Sequence, residues 1–196
     1  SGMGIERVVA ERLRAMGRSR AERPADSYRH DLLEHLMSSP DPRERLRRGR
    51  ALAELPGGDP RPGVSTVIDG VPELPEELWI EIPGGEYEVG EGKNRHTAPP
   101  LQAFRIYAYP VTVAQYSAFV DAGGYGDPDI LENCWTKTGG DWREENGIEG
   151  PDSYGEAFEV PNVPRTGVSW FEAYAFCRWL SLKRDEEIRL PSEYQW

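Results

Sequence analysis

Two cysteines, three histidines and a run of carboxylates are the residues of this 196-residue chain whose types could do chemistry. A soft ion such as copper(I) favours thiolate ligands, but Cys134 and Cys177 are far apart in the chain. Cys177 falls beside Phe176 and Leu180 on the inward face of an apolar helix, and Cys134 adjoins Trp135 in a polar stretch. Both read as buried apolar thiols, and a disulfide between them is disfavoured in a reducing compartment. His30 and Glu34 share a helical face, whereas His35 points away from Glu34, so all three read as surface residues of an amphipathic helix. His96 stands alone in a polar loop. Asp127, Asp129, Glu132, Asp141, Glu144 and Glu145 offer the oxygen ligands that calcium prefers, but without the spacing of a calcium loop; a solvated acidic loop is the reading. Trp135, Trp142 and Tyr154 are the candidate ligand-binding residues, as rings that line a groove. Core pinning competes with that role for each of them and for Trp170. No residue is assigned a catalytic or metal-binding role, and the chain has no P-loop, GxSxG or GxGxxG signature.

The elements that must position these groups are short. Residues 4–17 place Ile5, Val8, Val9, Leu13 and Met16 on one helical face. Residues 26–38 repeat the pattern behind an Asp26 cap, and a third helix starts at Asp41 with Pro42 in its first turn, where proline is tolerated. From Leu78 the pattern becomes LWIEIPGGEYEVGEG, two short β runs around a Pro-Gly-Gly turn. Phe104 to Thr112 alternates as a strand does. Thr112 with Gln115 forms a capping box that opens a helix with Val113, Tyr116, Phe119 and Val120 inward. Residues 124–166 show no clear periodicity and read as a long loop held by aromatics. Ser169 with Glu172 caps another helix, and Ser192 with Gln195 announces one more close to Trp196.

Composition divides the chain. Residues 1–63 carry 13 arginines against 10 acids, and the remainder carries 10 basic against 24 acidic residues, with all six tryptophans. An acidic surface excludes nucleic acid as the main partner, because phosphate binding needs a basic stripe. The Arg43, Arg45, Arg47, Arg48, Arg50 run lies on a helix and reads as a solvated or docking face. No apolar run approaches the ~20 residues that span a bilayer, so no membrane partner is expected. Two cysteines make no disulfide framework, and a cytoplasmic location follows as the default.

Four segments in this order, IEIPGGEYEVG (80–90), FRIYAYPVTVAQYSAFVDAGGY (104–125), VPRTGVSWFEAYAFCRWL (163–180) and RLPSEYQW (189–196), resemble the formylglycine-generating enzyme, or sulfatase-modifying factor, family. The family's glycine-methionine start is softened here to Tyr87-Glu88-Val89-Gly90, and its LPTEAEW-like block reads LPSEYQW. The resemblance implies an α+β fold, an irregular variant of the C-type lectin fold, over residues 64–196, with residues 1–63 as a helical extension and connector. It also implies that 64–196 is the N-terminal part of such a domain, so that the remaining C-terminal part is a partner. Calcium or copper would enter only through that part, because the family's copper cysteines and calcium sites follow the LPTEAEW-like block. The favoured function is a non-catalytic scaffold that binds a protein or small-molecule ligand, as in the variable proteins of diversity-generating retroelements. The alternative is a copper-dependent oxidase that converts a substrate cysteine to formylglycine. A third reading is a sulfoxide synthase relative without its iron-binding domain.

Overall fold

A computed structural model describes residues 27–196; the helix expected over 4–17 lies outside the described residues. Helix α1 spans Ser27–Ser38 and α2 spans Pro42–Ala53, with the Arg43 backbone N–H donating to Asp41 Oδ1 at 2.9 Å. A two-residue hairpin follows, β1 (Val67–Ile68) with β2 (Val71–Pro72), then β3 (Trp79–Ile82), β4 (Glu88–Val89), β5 (His96–Thr97) and β6 (Phe104–Tyr107). Helices α3 (Val113–Asp121), α4 (Pro128–Cys134), α5 (Lys137–Glu145) and α6 (Trp170–Arg184) complete the α+β fold. The β runs on either side of the Pro-Gly-Gly turn are not partners. β3 pairs antiparallel with β6, Trp79 opposite Tyr107 and Ile82 opposite Phe104, while β4 pairs with β5.

The chain forms two compact units. One holds residues 75–108, with 27–45 and 191–196. Its centre is the β3–β6 ladder, where Ile80 and Ile82 are buried and the Trp79 and Tyr107 rings meet edge-on at 5.2 Å. The helix expected to begin at Ser192 is a turn in which the Ser192 N–H donates to Gln195 Oε1 at 3.0 Å.

The second unit holds residues 46–74 and 109–190. Its core is aromatic: Phe119 and Trp179 are essentially inaccessible, and Tyr116 stacks on Phe176 at 5.2 Å. Fully burying rings of this size contributes about 1.5–3 kcal/mol each before entropy is counted. Both expected capping boxes form, Thr112 with Gln115 on α3 and Ser169 with Glu172 on α6. The α3 box does a second task. Thr112 Oγ1 also donates to the Val64 carbonyl at 2.6 Å, and Gln115 Nε2 donates to the Gly63 carbonyl at 2.9 Å. The connector is therefore bound to the helix by buried polar contacts.

A second buried set fixes the same connector. The Arg61 guanidinium donates to both oxygens of Asp59, at 2.6 Å for Nη2 to Oδ2 and 3.0 Å for Nε to Oδ1. Asn162 Nδ2 donates to Asp59 Oδ2 and to the Gly49 carbonyl, each at 2.7 Å. Burial works to raise the Asp59 carboxyl, but the hydrogen bonds and charge of Arg61, with Asn162, hold it below the ordinary aspartate value of 3.8.

The stretch 124–166, expected to be one long loop, contains α4 and α5. Asp127 caps α4 by accepting from the Asp129 and Ile130 N–H groups, with Pro128 in the first turn. Thr136 caps α5 by accepting from the Gly139 N–H. α4 has only seven residues, and α5, with Gly139 and Gly140 inside it and Trp142 as its one large apolar side chain, has no apolar stripe to read.

Candidate functional site

Three segments of the second unit enclose a cleft of about 280 Å³. Trp142 comes from α5, Ile148, Gly150, Asp152 and Tyr154 from the segment that follows, and Gly167, Val168, Ser169 and Glu172 from the start of α6. Trp142 is held by Phe171, ring centroids 5.6 Å apart, and Phe171 in turn meets Trp170 edge-on. Tyr154, exposed on the segment that follows α5, meets Phe158 edge-on at 6.3 Å. The two sides close because the Asp152 N–H donates to the Gly167 carbonyl at 2.8 Å. Gly167 has φ +73°, and a Cβ there would run into the Asp152 carbonyl. Only glycine fits both the backbone region and the approach.

Glu172 lies at the floor of the cleft, only 3% exposed. Its Oε2 accepts the Ser169 N–H at 2.6 Å, and its Oε1 accepts the Tyr125 hydroxyl at 2.7 Å. The Tyr125 and Tyr116 hydroxyls are 2.9 Å apart. Burial, the largest cause, raises both phenols well above their ordinary value, and for Tyr125 the neighbouring Tyr116 and Glu172 push the same way. Both therefore act as neutral hydroxyls. Tyr125 also borders a second cleft of about 370 Å³ with Val120, Gly123, Gly126, Arg143 and Glu149. There Arg143 Nη1 donates to the Tyr125 carbonyl at 3.0 Å.

The candidate ligand-binding residues divide. Trp142 and Tyr154 line the first cleft, each from a different segment. Trp135 does not: it is buried, its indole N–H donates to the Gly124 carbonyl at 2.9 Å, and its ring meets Tyr125 at 5.6 Å. It pins the turn after α3. Trp170 is 59% exposed and stacks on Tyr174. Glu172 was legible only as a cap, and Gly150, Asp152 and Gly167 gave no signal that sequence reasoning used.

The metal candidates stay apart. His30, Glu34 and His35 are exposed on α1, where His35 Nδ1 contacts the Asp31 carbonyl at 2.9 Å. Of the acidic run, Asp127 is a cap and Asp141 pairs with Lys137 at 2.8 Å. Among the described residues no group of three His, Cys, Asp or Glu side chains could hold a metal ion. Cys134 ends α4, Cys177 lies inside α6, and both are free and buried. Burial raises both thiols, Cys177 to about 11. A copper(I) pair needs accessible thiolates, so these two cysteines do not fit copper. Among the described residues no helix is long and apolar enough to cross a membrane.

An α+β unit with a buried connector, two capping boxes and an aromatic cleft at the start of α6 defines the domain class. Residues 64–196 match the sulfatase-modifying factor enzyme 1-like domain, and the chain belongs to that family. Its relatives include hercynine oxygenase of Mycolicibacterium smegmatis, 30% identical over 165 residues, covering 77% of this chain and 36% of that protein. The formylglycine-generating enzyme of Bos taurus is 28% identical over 176 residues, covering 76% of this chain and 43% of that protein. That of Streptomyces coelicolor is 28% identical over 151 residues, covering 60% and 45%. The chain thus spans between about a third and a half of the length of these relatives, which are enzymes.

Proposed function

We propose that this chain is the substrate-binding part of an oxidase that converts a cysteine of a peptide or protein to formylglycine. One observation carries the reading: its family match coincides with enzyme-named relatives that align over three quarters of the chain. That favours catalysis over the non-catalytic scaffold expected from the sequence. The cleft is suited to a peptide, since the Trp142 and Tyr154 rings line it and Gly150, with open space around it, leaves room for a backbone to approach. The chain's own work in this reading is to bind and orient the substrate. The remaining part of the domain is its partner, and calcium or copper enters only through that part. The free thiols of Cys134 and Cys177 support a reducing, cytoplasmic setting.

The scaffold remains the second reading, because the residues that line the cleft supply groups for binding. A cysteine peptide and its serine counterpart, given to the protein carrying its whole sulfatase-modifying factor domain, distinguish the two. Binding is read by tryptophan fluorescence, and conversion by hydrazide trapping of the aldehyde with mass spectrometry, in the presence of copper and oxygen. A bound cysteine peptide that yields aldehyde supports the oxidase. Binding of both peptides without aldehyde moves the cleft to the scaffold reading, and no binding of either peptide overturns the oxidase reading.

A further inference from the structure

We propose that Glu172 is the specificity-determining acceptor of the cleft, taking a hydrogen bond from a backbone N–H of the bound peptide. This rests on the reading of the cleft as the substrate site. A carboxylate offers about four lone-pair positions. Two are taken, one by the Tyr125 hydroxyl at 2.7 Å and one by the Ser169 N–H at 2.6 Å. The residue borders the cleft, and its two recorded side-chain partners are both neutral donors. The two donors and the α6 N-terminus offset its charge, and the acceptor positions left over belong to a residue that borders the cleft.

The carboxylate is also aimed. Tyr125 is fixed by Tyr116 at 2.9 Å and by its ring contacts with Phe119 and Trp135. Tyr125 is thus a positioning residue, holding Oε1 while Ser169 holds Oε2. A neutral N–H suits a site this deep. A charged head group would have to shed its water to reach a carboxylate that is 3% exposed, whereas a backbone can pass close to Gly150. A ligand carboxylate or phosphate at this floor is excluded by like charge.

The test is a double-mutant cycle on ligand and protein. A short cysteine peptide, and a set in which each backbone amide in turn is N-methylated, are titrated calorimetrically into the wild-type chain, Glu172→Gln and Tyr125→Phe. One methylation position weakens wild-type binding roughly tenfold, as loss of a hydrogen bond to a charged group does. The same methylation has little effect in Glu172→Gln and an intermediate effect in Tyr125→Phe. A merely structural role would weaken every peptide by the same factor in each variant, and that outcome overturns the inference. Should Glu172→Gln fail to fold, Tyr125→Phe, which keeps the ring packing, carries the cycle alone. Absence of coupling at every position, with the parent peptide still bound, sinks the role of Glu172 and leaves the cleft standing. Failure of the parent peptide to bind the wild type overturns the cleft reading and this inference together.

Discussion

In the unit centred on β3 and β6, the ion pairs stand in water: Arg105 with Glu76, and Arg95 with Glu88 at 3.4 Å, all four side chains exposed. The unit of α3 and α6 has exposed pairs too, such as Lys137 with Asp141, but it also holds a set of polar groups inside. Asp59, Thr112, Gln115, Asn162 and Glu172 are all buried there, each with hydrogen-bond partners among connector, helix start and loop. Exposed pairs contribute little because water competes and side-chain entropy opposes them. Buried polar groups are costly unless every partner is present. The first unit therefore tolerates substitution of its charges, while the second depends on a few atoms that also shape the cleft.

Substitutions at four positions probe that contrast, taken from the largest expected effect downward. Phe119→Ala removes a ring that touches Tyr116, Tyr125, Phe176 and Trp179. It should destabilise by about 4 kcal/mol in urea unfolding, and a loss under about 1 kcal/mol would mean that this core is not close-packed. Asp59→Ala leaves the Arg61 guanidinium and Asn162 without their acceptor and should cost about 3 kcal/mol. The Asp59 carboxyl lies below its ordinary value of 3.8 in the folded chain. Its stabilisation is thus complete above that value and is lost as pH falls through the lower, folded one. Wild-type stability should drop over that acid range, and the Asp59→Asn profile should lack this component; identical profiles would contradict the ion pair.

Gly167→Ala forces a side chain into a left-handed position against the Asp152 carbonyl. About 2 kcal/mol of stability should be lost, together with peptide binding. A variant that keeps full stability and full binding would show that the cleft does not depend on this approach. Arg105→Ala, in the other unit, removes an exposed pair and a cation–π contact with Trp79 at 5.4 Å. Its cost should stay under about 1 kcal/mol, and a larger loss would remove the contrast between the units.

Local chemistry explains which parts were legible in the sequence. Thr112 with Gln115 and Ser169 with Glu172 are three residues apart, so the helix starts of α3 and α6 could be read from side-chain types alone. The apolar faces of α1 and α3 likewise follow from spacing. Strand pairing could not, because β3 finds its partner across β4 and β5. The Asp59–Arg61–Asn162 set was invisible for the same reason: Asn162 lies 103 residues from Asp59. At the cleft, Trp142 and Tyr154 stood out as rings in a polar stretch. Trp135 carried the same signal, and only its contact with the Gly124 carbonyl separates it from them. Glu172 carried two roles in one side chain, and only the cap had a pattern.

The most direct test of the cleft is amide hydrogen exchange with and without the cysteine peptide. Protection confined to residues 148–154 and 167–172 is the predicted result. Protection elsewhere, or none while the peptide is bound, would contradict the assignment of this cleft as the substrate site.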